Sequence, residues 1–437
     1  FSLDEETKLN AIVTPNPKLA HTTVHLVAEP SAKRTRRALL MCNSSLFVRE
    51  PSSQLEFLAP LVFTPASAGV VSSPPGVTAA GTSVGGGVID AFAFDSALVG
   101  CDRSKVDVVQ DRQLALADIV GMSSAAFSQA VEDFGDTTRA ESPKQHRRYV
   151  RERMKIERSL GEHPKRPTIF QRVFDWFRAF LVHVILRDLS PRDLVPRYRY
   201  WPVGDPKPNP QIEPSEFADG GSLENTGIAS MLTRDKIDRI ISCLNSENEL
   251  KPVKVGVVDI VDGAEVEQPG TRIQVASEVA YLFGYQEHNA AVGYREFGDT
   301  PAEELQDQAL FRHNHVFDSA GFPELLRKFA EASGKDLRSG PVVVTQKLST
   351  VENRWFGVRG GRCVTVVWVY LNPVDEWTQR LSPEVKQLVH DTKSFPNYST
   401  FNTELSTHEF SLLSAQTAWT LGCEPVARML TGLFADR

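Results

Sequence analysis

The sequence predicts a layered α/β fold with a mostly parallel central sheet, and three observations lead to this prediction. Apolar runs of strand length alternate along the chain with segments of helical periodicity, which is the order that covers a sheet with helices. The run 253–261 is rich in valine, as is typical of a parallel strand buried on both faces. The stretch 217–228 joins apolar residues, an Asp-Gly-Gly turn and a helix start, an arrangement found at the carboxyl end of such sheets.

Length and charge place the protein among ordinary globular proteins. The chain has 437 residues, of which 41% are hydrophobic and 24% charged, and a net charge of -7. This length is enough for one large or two ordinary domains with a substantial core. The negative net charge argues against nucleic acid as the main partner.

The cysteines and the apolar runs indicate the environment in which the chain works. Its five cysteines (Cys42, Cys101, Cys243, Cys363 and Cys423) are scattered, odd in number and lack CxxC spacing. We therefore expect a reducing compartment, with neither a zinc site nor a disulfide scaffold, and we predict no cofactor. No run reaches the roughly 18 apolar residues of a membrane-spanning helix, so we expect a soluble or peripheral membrane protein.

The amino-terminal half begins with a polar, proline-punctuated stretch, residues 1–37, which we expect to be an irregular lead-in to one α/β domain over residues 38–437. Because the chain starts on Phe1, without a methionine or a signal-like segment, we expect it to be a processed product or part of a longer protein. We predict a buried strand within 38–47 that enters a turn, and residues 57–71 are a second apolar run, interrupted by Pro60 and Pro65. A Ser/Pro/Gly-rich loop is predicted over 72–87 and a helix over 118–134.

Residues 139–190 form a basic and amphipathic insertion in this domain. A basic arm leads into the predicted helix 169–189, whose apolar residues recur at i, i+3 and i+4 spacing. One interpretation is an interfacial helix, with Phe170, Phe174 and Phe177 in the lipid and Arg172 and Arg178 on anionic headgroups. The other is a helix packed on the core behind a solvated basic arm.

The carboxyl-terminal half continues the alternation of helices and strands. We predict helices over 227–245, 322–332, 407–421 and 425–433, and strands over 253–261, 341–348 and 363–371.

The Asp-Gly-Gly stretch is the centre of the predicted site. Glycine adopts the φ > 0 conformations that sharp turns need, so Gly220 and Gly221 would bend the chain and present the Asp219 carboxylate at the end of a strand. A plain turn with a solvated Asp219 is the alternative. Glu224 and Asn225 would order the amino terminus of the next helix.

This stretch resembles the catalytic-Asp segment of the cytosolic phospholipase A2 and fungal lysophospholipase family. Further segments are similar to that family in the same order: 43–47 (NSSLF), 62–65 (VFTP), 85–94, 121–127, 198–204, 355–358, 368–373 and 395–398 (FPNY). The resemblance implies a patatin-like, three-layer α/β/α fold and a Ser–Asp dyad without histidine. Asp219 would be the base, Gly220 and Gly221 would shape its turn, and a phospholipid or lysophospholipid would be the substrate.

The resemblance does not extend to the segment that carries the nucleophile in the family. In the family, the serine and a Gly-rich oxyanion loop precede the segment that NSSLF resembles, whereas here a polar lead-in precedes it and Gly69 is the first glycine. A Gly-x-Ser-x-Gly string occurs at 81–85 and makes Ser83 a candidate. An elbow, however, needs a strand before it and a helix after it, so the string is alternatively a structural loop.

Other candidates have simpler explanations. Ser123 and Ser124 occupy a predicted helix start, where serine caps more often than it reacts. His313 and His315 could pair as metal ligands, but no third ligand lies nearby in the sequence, so we predict a surface or core role and no metal site.

Three functions are compatible with the sequence. The chain is the carboxyl-terminal part of a phospholipase-like hydrolase whose serine lies on a separate or upstream polypeptide, or a non-catalytic pseudo-lipase that serves as a binding subunit. Alternatively, it is a complete patatin-like enzyme that uses Ser83 and Asp219. The retained Asp219 turn favours the first. In the first two, a partner polypeptide would complete the sheet, because open sheet edges are normally covered.

Overall fold

The computed structural model describes residues 40–49, 56–72, 78–79, 82–101, 106–110, 114–123, 196–200, 214–252, 259–261, 264–266, 273–289, 293–297, 311–334, 336–398 and 405–435. Over these residues the fold is mixed α/β, as the alternation of apolar patterns predicts.

The strands fall into a larger sheet, a three-stranded sheet and several two-stranded pairs. In chain order they are β1 (Cys42–Arg49), β2 (Glu56–Phe63), β3 (Ser67–Gly69), β4 (Thr78–Ala79), β5 (Thr82–Ser83), β6 (Ile89–Asp90), β7 (Ala97–Cys101), β8 (Val106–Val109), β9 (Arg197–Tyr198), β10 (Ser215–Asp219), β11 (Arg239–Leu244), β12 (Lys251–Pro252), β13 (Asp259–Val261), β14 (Ala264–Val266), β15 (Ile273–Gln274), β16 (Tyr285–Asn289), β17 (Gly293–Glu296), β18 (Val342–Ser349) and β19 (Cys363–Tyr370).

The helices lie mostly in the carboxyl-terminal half of the described chain. They are α1 (Leu116–Ser123), α2 (Ile228–Leu232), α3 (Ser277–Tyr281), α4 (Gly321–Ser333), α5 (Asp375–Thr378), α6 (Pro383–Asp391), α7 (Thr407–Gly422) and α8 (Glu424–Ala435), with 3₁₀ turns at Ala91–Ala93, Gly220–Ser222 and Phe311–Asn314. The predicted helices 322–332, 407–421 and 425–433 are confirmed by α4, α7 and α8, and the predicted strands 341–348 and 363–371 by β18 and β19. Of the predicted helix 118–134, α1 covers the beginning, and residues 124–134 lie outside the described residues.

The larger sheet is antiparallel and is built on β1. Its strand order is β5-β4-β1-β2-β3-β6, and β10 joins β1 on the edge opposite β2. The buried strand predicted within 38–47 is confirmed by β1, but no turn follows its first residues, because Asn43–Ser45 are inside the strand. Their backbone groups are paired with β2 and, at Ser44 and Ser45, also with β10, which makes polar residues compatible with a buried strand.

The three-stranded sheet has the order β11-β19-β18. β11 runs parallel to β19, and β18 runs antiparallel to it. Every other pair among the described strands is antiparallel, including β13 with β14, which covers the described end of the valine-rich run 253–261. The prediction of a parallel central strand is wrong for residues 259–261, and residues 253–258 lie outside the described residues. The described strands do not support the three-layer fold with a mostly parallel sheet, which stays a prediction.

The predicted helix 227–245 is wrong beyond its first turn. Helix α2 ends at Leu232, and residues 239–244 form strand β11. Ile240, Ser242 and Leu244 are buried whereas the residues between them face outward, which is the period of a strand. The pairing that fixes them, with β19, lies more than a hundred residues away along the chain.

Two hydrophobic clusters meet at β10. Phe217 packs into the cluster formed by β1, β2 and their neighbours, while Ala218 packs into the larger cluster that includes Trp368 of β19. Both residues are fully buried, as the sequence predicts for the end of a buried strand. Because β10 is packed against a hydrophobic cluster on each face, the position of Asp219 at its end is fixed.

Two sequence predictions concern contact with a membrane: the absence of a membrane-spanning helix and the amphipathic insertion. Within the described ranges, none of the helices has the length and apolar character needed to cross a bilayer. The insertion 139–190, with Phe170, Arg172, Phe174, Phe177 and Arg178, lies outside the described residues, as does the lead-in 1–37.

Candidate active site

Asp219 lies where strand β10 ends and a single 3₁₀ turn, Gly220–Ser222, begins. Its Oδ1 accepts a hydrogen bond of 2.7 Å from the backbone N–H of Gly221. Helix α2 follows after a left-handed Gly227, which has a φ of 71°. The predicted order of strand, turn and helix around this carboxylate is thus present in the structure.

Of the two glycines of the turn, Gly220 is required for a reason that differs from the predicted one. Neither Gly220 nor Gly221 has a positive φ. A Cβ on Gly220 would instead lie 2.6 Å from the backbone oxygen of Asn43, and a Cβ on Gly221 would lie 2.7 Å from Oδ1 of Asn225. Glycine is needed at position 220 because the turn lies directly on the backbone of β1, whereas the atom that a Cβ at 221 would meet is the end of the exposed Asn225 side chain, which can move.

The pKa of the Asp219 carboxyl group favours a role as a proton acceptor. Burial raises its pKa above the ordinary aspartate value, and the hydrogen bond from Gly221 opposes that rise. Among the described residues, the Gly221 N–H is the donor that contacts this carboxylate, and it binds Oδ1. A carboxylate with a raised pKa is a better general base near neutral pH than an exposed one.

Glu224 is the second carboxylate of the stretch, and its role is structural. It is 6% exposed, and it accepts hydrogen bonds from the backbone N–H groups of Thr226 (2.6 Å) and Ala229 (3.1 Å) and from the Thr226 hydroxyl. Burial raises its pKa, and these donors oppose the rise. The prediction that Glu224 orders the start of the helix is confirmed, since it binds the N–H of Ala229 in the first turn of α2 and that of Thr226 just before the helix. Asn225 is exposed and packs against Gly221.

Asn43 of β1 lies against the turn, a contact that the sequence analysis did not predict. It belongs to β1, where Ser44 is the register partner of Asp219. Its backbone approaches Gly220, and its side chain reaches Gly227. Within the part of the chain that the structure describes, its buried Oδ1 has no hydrogen-bond partner. The sequence signal was present, because Asn43 opens the NSSLF segment that carries the family resemblance.

Ser83 and Asp219 are not brought together. Ser83 is in β5, paired with Thr78 of β4, which is in turn paired with Arg49 of β1. Arg49 is five positions along β1 from Ser44, the partner of Asp219, a rise of about 17 Å at about 3.4 Å per residue. A nucleophile and its base must approach to about 3 Å, so the two residues do not form a dyad in this structure.

The surroundings of Ser83 also differ from those of an elbow. Strand β5 has two residues, and the three glycines at 85–87, all with positive φ, lead to the short strand β6. The backbone N–H groups of Gly86 and Gly87 donate to the carbonyls of Ser72 and Val70. This arrangement is that of a structural loop beside β3.

The serines of the 121–127 segment are placed differently from the prediction. Helix α1 begins at Leu116, and Ser123 is the last of its described residues, not a residue of the helix start. Asp118 occupies the first turn instead, where it accepts a hydrogen bond of 2.8 Å from the N–H of Ala115. Ser124 lies outside the described residues.

His313 and His315 have packing roles, as predicted. The His313 ring stacks on Trp355 at a centroid distance of 4.1 Å. His315 makes a 2.9 Å contact from Nε2 to the carbonyl of Phe317 and lies against Gly284. Among the residues that the structure describes, no group of three or more His, Cys, Asp or Glu side chains could hold a metal ion.

The stacked His313 should make stability depend on pH. Burial, with a smaller contribution from Arg312, lowers its pKa to about 4, so the native state takes up its proton later than the unfolded state. We therefore expect the free energy of unfolding to be maximal above pH 6.5 and to fall, through this group, by up to about 3 kcal/mol between pH 6.5 and 4. Urea unfolding at several pH values measures it.

A matched variant separates this effect from the carboxyl groups. His313→Phe keeps a ring over Trp355 but cannot titrate, so its free energy of unfolding should fall less steeply over the same range. The raised pKa values of Asp219 and Glu224 change stability in the opposite direction in both proteins and cancel in the difference. Equal slopes for the two proteins would contradict the prediction.

Comparisons with protein-family models, with curated proteins and with solved structures find no match to this chain. The resemblance to the phospholipase A2 and lysophospholipase family therefore stays a prediction that rests on the sequence segments quoted above.

Proposed function

We propose that this chain supplies the base of a Ser–Asp acyl-ester hydrolase of the phospholipase A2 and lysophospholipase type. Asp219 is the base, and the serine comes from a separate polypeptide or from an upstream segment. One observation carries the proposal: Asp219 is half-buried at a strand end, with a raised pKa and one oxygen fixed by Gly221. A solvated turn aspartate can accept the same hydrogen bond from the N–H two residues on, but burial would not raise its pKa.

The chemistry assigns a definite task to this carboxylate. As the serine hydroxyl attacks the ester carbonyl, Oδ2 of Asp219 accepts the hydroxyl proton and then gives it to the departing alcohol, which leaves an acyl-serine. Water then attacks the acyl group, Asp219 takes the proton of that water, and serine regains it when the acid is released. The donors for the oxyanion would come from the same polypeptide segment as the serine.

The edge of the three-stranded sheet supports a partner polypeptide. Among the described strands, β11 has a neighbour on one side, β19. Ile241 on β11 is 40% exposed, and the buried Ser242 hydroxyl beside it has no hydrogen-bond partner within the described residues. Open edges of this kind are normally covered. A partner strand that runs parallel to β11 would extend the sheet towards the predicted mostly parallel arrangement.

Two other functions remain to be separated from this one. A complete enzyme that uses Ser83 would need a rearrangement of about 17 Å along β1, which makes it the weaker candidate. A non-catalytic subunit would share the fold and the partner, but it would have no chemical use for a raised pKa at Asp219. A phospholipid or lysophospholipid substrate and a peripheral membrane contact are part of the proposal on the strength of the family resemblance.

A serine-directed fluorophosphonate label on natively purified protein tests the proposal, with the mass of every polypeptide and of the labelled peptide as the readout. We expect the label on a serine outside this chain's residues 1–437, together with hydrolysis of a phospholipid or lysophospholipid ester. A label on Ser83 would establish the complete enzyme instead. Neither label nor hydrolysis would leave the binding subunit as the function.

A further inference from the structure

The carboxyl end of the Asp219 turn is held by a residue far away in the sequence. Nδ2 of Asn314 donates a hydrogen bond of 2.6 Å to the backbone carbonyl of Leu223. Leu223 closes the turn, since its own N–H donates to the carbonyl of Gly220. Both Asn314 and Leu223 are nearly fully buried, with 2% and 1% exposure. Loss of the amide would therefore leave a carbonyl buried without a partner, which is unfavourable because the carbonyl has been removed from water.

The segment that carries Asn314 is itself fixed by a second asparagine. Nδ2 of Asn353 donates to the carbonyls of His313 (2.6 Å) and His315 (2.8 Å), on either side of Asn314. Oδ1 of Asn353 accepts from the N–H of Phe356. The backbone on both flanks of Asn314 is thereby clamped, and its side chain has little freedom to follow a moving turn.

We call the hydrogen bonds of Asn353 to His313 and His315, with that of Asn314 to Leu223, the clamp. Aromatic stacking connects the clamp to the larger sheet. His313 stacks on Trp355 with an interplanar angle of 11°, and Nε1 of Trp355 donates a 3.0 Å hydrogen bond to the carbonyl of Leu58 in β2. β2 is paired along its length with β1, the strand on which the other end of the turn rests. The turn is thus held at Gly220 by β1 and at Leu223 by a clamp anchored on β2.

We propose that Asn314 is a positioning residue, which fixes the place of the Asp219 carboxylate through the Leu223 carbonyl. The inference rests on the proposed function of Asp219 and explains the His-Asn-His motif without a metal. Asparagine suits the task because its Nδ2 is a donor, whereas Oδ1 in that position would repel the carbonyl. Oδ1 has no partner among the described residues, so the amide contributes through the Leu223 contact. Catalytic groups need to be held to within about 0.5 Å of their working position.

Hydrogen exchange of the turn tests the clamp without any need for activity. In Asn314→Ala, the amides of Gly221, Leu223 and Glu224 should exchange about tenfold faster, as expected for the loss of one buried hydrogen bond. The matched control is Asn397→Ala, because Asn397 is also buried and donates through Nδ2 to two backbone carbonyls, those of Ser246 and Leu371. Asn397→Ala should destabilise the protein without accelerating the hydrogen exchange of these amides. Asn314→Ser, which leaves a smaller cavity, serves if the alanine variant does not fold.

Steady-state hydrolysis by the natively purified protein tests the positioning role itself. We expect Asn314→Ala to lower kcat about tenfold with KM within about twofold, because the base is displaced while the substrate contacts are not. Turn amides that exchange no faster than in Asn397→Ala would overturn the clamp, and an unchanged kcat would overturn the positioning role. If the unaltered protein hydrolyses no ester, the proposed function fails, and the exchange data alone decide whether Asn314 fixes the turn.

Discussion

Asp219→Asn is expected to lower ester hydrolysis and fluorophosphonate labelling by about 10²–10⁴-fold, the usual contribution of a general base. The amide has the size of the carboxylate, and its Oδ1 can still accept the 2.7 Å hydrogen bond from Gly221. It cannot take a proton from serine. The turn should therefore keep its place while the chemistry stops.

The same substitution makes an opposite prediction for stability. Because burial raises the pKa of Asp219, the charged carboxylate is less stable in the native site than in water at neutral pH. A neutral amide removes that cost, so the free energy of unfolding should stay the same or increase slightly. Lost activity combined with unchanged or higher stability is characteristic of a catalytic group, because such groups are kept for chemistry at the expense of stability.

Asp235→Asn is the control. Asp235 is exposed and forms a 3.3 Å surface ion pair with Arg359, whose side chain is also largely exposed. Such pairs contribute little, so both activity and stability should remain close to those of the unaltered protein. Full activity in Asp219→Asn would contradict the assignment of the base, and an unfolded Asp219→Asn would show that the carboxylate is structural.

The local part of the site could be predicted from the sequence. The order of apolar residues, Asp219, two glycines and a helix start gives the strand, the turn and the helix, because each is encoded within a few residues. The cap formed by Glu224 is equally local, since it binds N–H groups at positions 226 and 229. Contacts of this range are what propensity and spacing describe.

The contacts that fix the site are long-range, and the sequence does not show them. Asn314 lies 91 positions from Leu223 along the chain, and Asn43 lies further still from Gly220. The error at β11 has the same origin: residues 239–244 could continue a helix from α2 as far as their own composition is concerned, and their parallel pairing with β19 decides otherwise. No local pattern indicates which distant strand will be a neighbour.

Gly220 shows the same limit of prediction from the sequence. Asp-Gly-Gly correctly indicates a sharp turn, but the expected reason, a positive φ, does not hold for Gly220. The actual reason is the approach of the turn to the backbone of Asn43, a residue on another strand. A sequence pattern can thus identify a turn correctly and still give no information on what the turn rests against.

Gly220→Ala is expected to destabilise the protein by about 1–3 kcal/mol, the usual cost of overpacking a closed contact. The new Cβ would lie 2.6 Å from the Asn43 oxygen. β1 cannot move away, because it is paired with β2 over its whole length and with β10 at the adjacent residues. The turn must move instead, and hydrolysis should fall with it because Gly220 directly follows the base. Urea unfolding and steady-state kinetics measure the two effects.

Gly432→Ala is the matched control, with an effect of opposite sign. Gly432 lies in helix α8, and a Cβ there would meet nothing within 4 Å. Alanine is the better helix former by about 1 kcal/mol, so this variant should be more stable and equally active. If Gly220→Ala were as stable and active as Gly432→Ala, the turn would not rest on β1. The position of Asp219 would then have to be revised, because it depends on that contact.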